Sequence, residues 1–169
     1  MRLQLASVLS RAEQNLVKAA ALDALLRGAL GDLDLTAASV NCRLTNPREI
    51  RRLNRKFANH DEVTDVLAFP ALAAEGGIDF PIPPTEADFL GDIVISVATA
   101  AEQADLTGVE AAAELRLLAV HGLLHLLGHD HHQSGAASRM TTATRRLLGR
   151  DASRRGVPVP RVPALHSGV

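Results

Sequence analysis

The sequence predicts an α+β domain, a small mixed sheet of about four strands with about five helices packed on it. Three observations predict it. Short apolar or alternating stretches of strand length occur at 1–8, 39–45, 63–69 and 90–97. Segments with apolar residues at helical spacing lie between and after them, and turn residues separate the two kinds of segment. The chain has 169 residues, enough for one core without staples. Residues 1–150 read as a single domain. Residues 151–169 hold Pro, Gly and Arg without periodicity and read as a disordered tail.

The elements follow in order. After a weakly alternating strand at 1–8, Ser10-Arg11-Ala12-Glu13 forms a capping box. It opens a helix whose Leu16, Ala19, Ala20, Leu22, Leu25, Leu26 and Leu30 share a face, with Gly31 as the stop. A strand at 39–45 leads to Asn46-Pro47, where Asn46 caps a helix, Pro47 takes its first position and Glu49 its third. The strand at 63–69 ends at Pro70, and the Gly-, Pro- and acid-rich stretch 71–88 reads as a loop or flap. Leu90-Gly91-Asp92-Ile93-Val94-Ile95-Ser96-Val97 reads as a strand with at least one buried face. A helix at 98–104 follows. Thr107-Gly108-Val109-Glu110 reads as a second capping box, opening an apolar helix that runs to about residue 127. The last helix, 134–148, is expected to stop at Gly149.

Composition narrows the function. The chain is 47% hydrophobic and 22% charged, with a formal net charge of -1, so there is no bulk electrostatic case for nucleic acid. Four Phe and no Tyr or Trp leave few platforms for stacking bases: Phe57, Phe69, Phe80 and Phe89. The single Cys42 excludes an internal disulfide and a multi-cysteine metal cluster, and in a strand it reads as a buried, inert thiol. No apolar run approaches the ~20 residues of a membrane helix, and residues 1–14 lack a signal-peptide core. The expectation is a cytoplasmic protein without a membrane partner.

Residues 120–132 read Val-His-Gly-Leu-Leu-His-Leu-Leu-Gly-His-Asp-His-His. His121 and His125 are one helical turn apart on one face, the spacing that lets two imidazoles reach one metal. A left-handed Gly128 would end the helix and turn the chain back, so that His131 meets the same ion. His129 and His132 compete for that third place. The spacing His-x3-His-x5-His matches metzincin zinc sites, and three imidazoles leave the fourth position of Zn²⁺ open, as in catalytic sites. Gly122 stands where those proteases carry their general-base Glu, which argues against a protease. Asp130 is placed to orient an imidazole through its second N–H. Asp65 and Asp92, in strands, are expected to be hydrogen bonded, because burying them unpaired is costly. His60 and His166 read as surface residues. Arg48, Arg51, Arg52 and Arg55, with Lys56 beside them, form one face of the helix after Pro47, where guanidinium groups are suited to phosphate oxygens. An ordinary solvated helix face is the competing reading. Arg145, Arg146, Arg150, Arg154 and Arg155 form a second basic group suited to solvation or loose electrostatic contact.

Together these segments resemble the YbeY family, single-domain bacterial zinc endoribonucleases that act in rRNA maturation and ribosome quality control. His121-Gly122-Leu123-Leu124-His125-Leu126-Leu127-Gly128-His129-Asp130-His131 is similar to the family's zinc segment, with His129 at the usual Tyr position. Leu53-Asn54, Thr64-Asp65-Val66-Leu67-Ala68-Phe69-Pro70 and Leu90-Gly91-Asp92-Ile93 look like its other signatures, in the same order. The resemblance covers about residues 1–150. It implies zinc ligands at His121, His125 and His131, an RNA substrate, and the ribosomal subunit or ribosome-associated proteins as partners. The family carries an Arg after the aromatic residue of the helix, and here Phe57 is followed by Ala58; Arg55, Lys56 or His60 could supply a substitute cation. The expected activity is cleavage of single-stranded rRNA with one Zn²⁺ per chain. The alternatives are a zinc hydrolase of metzincin-like ligand geometry acting on peptides or small molecules, and a non-catalytic ribosome-assembly factor.

Overall fold

A computed structural model describes residues 2–5, 9–71, 88–129 and 136–159. Among them lie four strands and six helices: β1 (Arg2–Leu5), α1 (Arg11–Ala20), α2 (Leu22–Asp32), β2 (Ser39–Thr45), α3 (Pro47–Ala58), β3 (Val66–Pro70), β4 (Phe89–Ser96), α4 (Val97–Thr107), α5 (Ala111–Leu126) and α6 (Ala136–Arg155). The sheet order is β1-β2-β4-β3, parallel except for β3, which runs antiparallel to β4 at the edge. The expected mixed sheet and the α+β class are therefore present. The loop expected at 71–88 and the end of the tail, 160–169, fall almost wholly outside the described residues.

Alternation along β4 divides the packing. Ile93 and Ile95 point into the main core with Val40, Cys42 and Leu44 of β2 and the leucines of α2 and α5. Val94 points the other way, onto Ile50 and Leu53 of α3, with Leu67 and Phe69 of β3 beside them. So α3 covers one face of the sheet, while α5 lies along β3 and β4 on the other, backed by α1, α2, α4 and α6. Cys42 is fully buried, and burial pushes its thiol up to about 12, which leaves it inert as expected.

Several predicted caps are in place. Ser10 and Glu13 exchange both bonds of the capping box, at 2.7 and 3.3 Å, and Asn46 caps α3 by accepting from the Glu49 N–H at 2.9 Å. Four expectations need correction. The single helix foreseen for 10–30 is two, because Ala21 is left-handed at φ 47°. That conformation costs an L-residue roughly 1–2 kcal/mol. Here the carbonyl of Ala20, released at the break, accepts from the guanidinium of Arg116 on α5. Gly31 does not end α2; the helix reaches Asp32, and the left-handed residue is Asp34, at φ 59°.

Thr107 caps nothing ahead of it. Its hydroxyl donates back to the Gln103 carbonyl at 2.8 Å, and Gly108 (φ 67°) closes α4, so α5 starts after Glu110 without a side-chain cap. Finally, α6 runs through Gly149 to Arg155. Asp151 and Ala152 are buried, Asp151 pairs with Arg116, and Arg154 holds Asp32 at 2.9 Å. These contacts carry the helix past the glycine and tie down part of the second basic group.

Candidate metal centre

Helix α5 is buried on almost every side. Such a helix holds its side chains in few rotamers, which suits a ligand set. His121 is buried and His125 half-buried on α5. Their Nε2 atoms lie 3.1 Å apart, with the rings perpendicular and their centroids 4.6 Å apart. Two imidazole nitrogens on one tetrahedral zinc, each ~2.0–2.1 Å from the ion, are about 3.3 Å apart. The pair therefore fits a shared ion without changing rotamer. The same spacing also admits one N–H···N bond between the rings.

The turn after the pair is the one that the sequence predicts. Gly128 is left-handed at φ 79°. The His129 N–H donates to the Leu124 carbonyl at 3.1 Å, and the Gly128 N–H to that of His125 at 3.0 Å. Those two bonds define a Schellman close, which ends the helix after the pair. Asp130, His131 and His132 lie outside the described residues. Among the described residues, no group of three or more His, Cys, Asp or Glu is gathered as a metal site.

Two glycines bring the helix and the sheet together at this point. A Cβ on Gly122 would lie 2.7 Å from Cγ2 of the buried Ile93. Position 122 thus faces the sheet, and a Glu there has no room. Gly91 (φ 136°) lies where a Cβ would collide with the carbonyl oxygen of Phe69 and come within 3.0 Å of Leu126 Cδ2. Its partner in the strand ladder is Pro70. The Leu-Gly-Asp-Ile segment therefore lets β3, β4 and the end of α5 approach closely.

The carboxylates are bonded as expected. Asp92 accepts from Asn41 Nδ2 at 3.0 Å. Asp65 stands just before β3, not within it; its carboxylate takes the Val66 N–H at 2.7 Å, the Thr64 hydroxyl at 3.2 Å and Gln103 Nε2 at 3.1 Å. Sequence reading passed over Glu114, seven positions before His121 on the same face of α5. It is buried, and its carboxyl is pushed up by loss of water and then by the charge of Asp65. The spacing to His121 was the available signal.

On the other side of the sheet, the α3 cations are exposed and partly engaged. Arg51 grips Asp61 with two bonds, at 3.1 and 3.2 Å, and Arg55 comes within 4.0 Å of the same carboxylate. Arg52 bonds Glu49 at 2.9 Å, and Arg43 reaches Glu49 at 3.2 Å. The hydrogen bond from Arg52 holds the Glu49 carboxyl below its usual range against the opposing effect of burial, and the charges of Arg52 and then Arg43 add less. Among the described residues, Arg48 and Lys56 make no ion pair. Ala58 is half-buried, and His60 lies 4.0 Å from Glu62. Phe57 is exposed, with its ring edge-to-face with Phe69.

Fold and site define a small α+β protein whose buried helix α5 carries a histidine pair. The solution structure of a Thermotoga maritima protein has the same fold, with a TM-score of 0.52, 22% identity, and 90% of this chain and 93% of that one covered. A model of the endoribonuclease YbeY family matches residues 8–150. The endoribonuclease YbeY of Myxococcus xanthus is 42% identical over 123 residues, which are 73% of this chain and 40% of that protein. That of Heliobacterium modesticaldum is 42% identical over 119 residues, 68% of this chain and 70% of that protein. For that of a Synechococcus species the figures are 50% over 108 residues, 62% and 64%. The chain thus spans between two fifths and seven tenths of the length of these relatives. It belongs to the YbeY endoribonuclease family.

Proposed function

We propose that the chain is a zinc-dependent endoribonuclease that cuts single-stranded rRNA during rRNA maturation and ribosome quality control in the cytoplasm. The observation that carries this reading is the Nε2 pair of His121 and His125, 3.1 Å apart on a helix closed by a left-handed Gly128. His121, His125 and His131 hold the ion, and Asp130 orients one of the imidazoles. When bound there, zinc supplies Lewis acidity and lowers the pKa of water to about 7. The chain's own residues do the rest. Arg48, Arg51, Arg52, Arg55 and Lys56 hold the phosphate backbone, and the buried flank of α5 fixes the imidazoles in place. Family membership supports an RNA substrate; if that RNA is rRNA, the ribosomal subunit or ribosome-associated proteins are the partners. No helix among the described residues is long and apolar enough to cross a membrane. The peptidase alternative is weakened by Gly122, since the glutamate of that chemistry would meet Ile93.

Zinc analysis of single His→Ala variants, run beside cleavage of a single-stranded RNA, tests the reading. About one zinc per chain is expected, lost together with cleavage in His121→Ala, His125→Ala and His131→Ala. Full zinc in His131→Ala, with loss in His129→Ala or His132→Ala, moves the third ligand. A zinc-loaded protein that leaves RNA intact overturns the nuclease reading.

A further inference from the structure

Phe57 is an unusual place to spend one of four aromatic rings. It ends α3 on the solvent side with 58% of its surface exposed, where Leu53 and Ile50 of the same helix are buried. Phe69, on the adjoining edge strand β3, meets it edge-to-face with centroids 5.4 Å apart and an interplanar angle of 67°. Lys56 Nζ stands 4.8 Å from the Phe57 centroid. The ring is therefore met edge-to-face by Phe69 and has the flexible Lys56 ammonium over it, yet more than half of the residue is exposed.

We infer that Phe57 is a stacking platform for one base of a single strand, with Lys56 and Arg55 engaging the phosphates on either side. This rests on the proposed RNA reading and names the contact that reads the strand as single. An exposed ring among cations is an arrangement by which proteins grip unpaired bases of any sequence, because every base has a π-face and a duplex hides it. A stacking base would take the place that the Lys56 ammonium holds over the ring. A docked protein would also cover an exposed ring, but the cations crowding α3 favour a polyanion.

Side chains of β3 alternate, so Phe69 lies on the α3 side and Val66 and Ala68 on the α5 side. The Phe69 carbonyl and Leu126, the residue after His125, both crowd the same point at Gly91. The strand that carries Phe69 is thus in contact, through Gly91, with the end of the helix that carries the histidine pair.

The chain contains no Trp or Tyr, so Phe57→Trp creates a single reporter at the site in question. Its emission is read while zinc-loaded protein is titrated with oligouridylate and with an abasic ribose-phosphate oligomer of equal length. Binding is followed in parallel by anisotropy of labelled oligomers. Saturable quenching by oligouridylate is expected, with none from the bound abasic strand. Phe57→Leu, which keeps an apolar contact for Phe69, is expected to weaken oligouridylate binding roughly tenfold. Its affinity for the abasic strand and its salt slope should match those of the parent, because the phosphate contacts remain. Unquenched emission with bound oligouridylate, or equal loss for both oligomers in Phe57→Leu, overturns the stacking role and leaves RNA binding standing. Failure of the parent protein to bind either oligomer overturns the RNA reading itself.

Discussion

The two faces of the sheet hold very different amounts of core. On the α5 side, Val40, Cys42, Leu44, Ile93 and Ile95 pack against leucines from three helices. On the α3 side, Ile50, Leu53 and Val94 form a small patch under one helix, with Leu67 and Phe69 at its margin. Each fully buried Leu or Ile contributes ~1.5–3 kcal/mol, so the first face carries most of the fold. The second is left thin enough to be spent on charge and on an exposed ring. The histidines sit at the flank of the thick face, where neighbours fix their rotamers, and the cations sit on the thin one, where water and ligands reach them. A histidine pair held in place and a charged surface open to water ask for opposite packing, and the sheet separates the two.

Two arginine–aspartate pairs test that contrast, and the buried one has the larger effect. Arg116 and Asp151 pair in the seam between α5 and α6, with side chains 5% and 8% exposed. Burial, and then Arg155, lower the Arg116 guanidinium to about 10, so it stays charged at neutral pH and needs its partner. Removing one member strands a buried charge. Asp151→Ala is expected to cost about 3–5 kcal/mol in urea unfolding. The break at Ala21 should loosen with it, because the same guanidinium holds the Ala20 carbonyl. Arg116→Met with Asp151→Leu should recover most of the loss, since a matched apolar pair leaves no charge stranded. A loss in Asp151→Ala below about 1 kcal/mol would mean that water reaches the seam, and the contrast between the faces would fall.

The next effect is smaller and lies beside the histidine pair. Gly122→Ala places a methyl group against Ile93, whose branched side chain is fully buried and cannot swing away. The expected cost is ~1–3 kcal/mol. Ile93→Ala removes the atoms that collide, so a double-mutant cycle should show favourable coupling of about 1 kcal/mol or more. Additive losses would mean that position 122 does not face the sheet, and the steric case against a glutamate there would be lost.

What could be read from the sequence was whatever depends on near neighbours. The Ser10 and Asn46 caps, the alternation of β2 and β4, and the left-handed close at Gly128 all concern residues within a few positions of each other, and all are present. The break at Ala21 was illegible because the Ala20 carbonyl that it frees is satisfied from 96 residues away. Gly149 reads as a stop, but tertiary pairing of Asp151 and Arg154 overrides it. Thr107 reads as a cap for the next helix because a Ser/Thr-x-x-Glu motif does not say which way its hydroxyl turns; it turns back to Gln103. For the site, the convergence of His121 and His125 was legible as spacing. The exposure of Phe57 was not, since whether a ring at a helix end is covered depends on what lies across from it.

The smallest expected effect on stability completes the contrast. Arg51 and Asp61 make the same kind of pair on the thin face, with two good bonds, yet their side chains are 53% and 52% exposed. Water screens both groups, and holding two long side chains together costs rotamer freedom. Asp61→Asn should therefore change unfolding stability by no more than about 0.5 kcal/mol. Its effect on binding should be larger. Asp61 draws Arg51, and more weakly Arg55, onto itself, and neutralising it releases the first guanidinium fully and removes a charge that repels phosphate. Affinity for a single-stranded oligomer should rise, and the dependence of log K on log salt should steepen by roughly one counterion. Asp61→Asn and Arg51→Gln should move that slope in opposite directions while their melting curves nearly coincide with the parent's. An unfolding loss above about 1.5 kcal/mol, more than an exposed pair supplies, would make the pair a support of α3. Salt slopes that stay unchanged in both variants would return the α3 face to ordinary solvated surface.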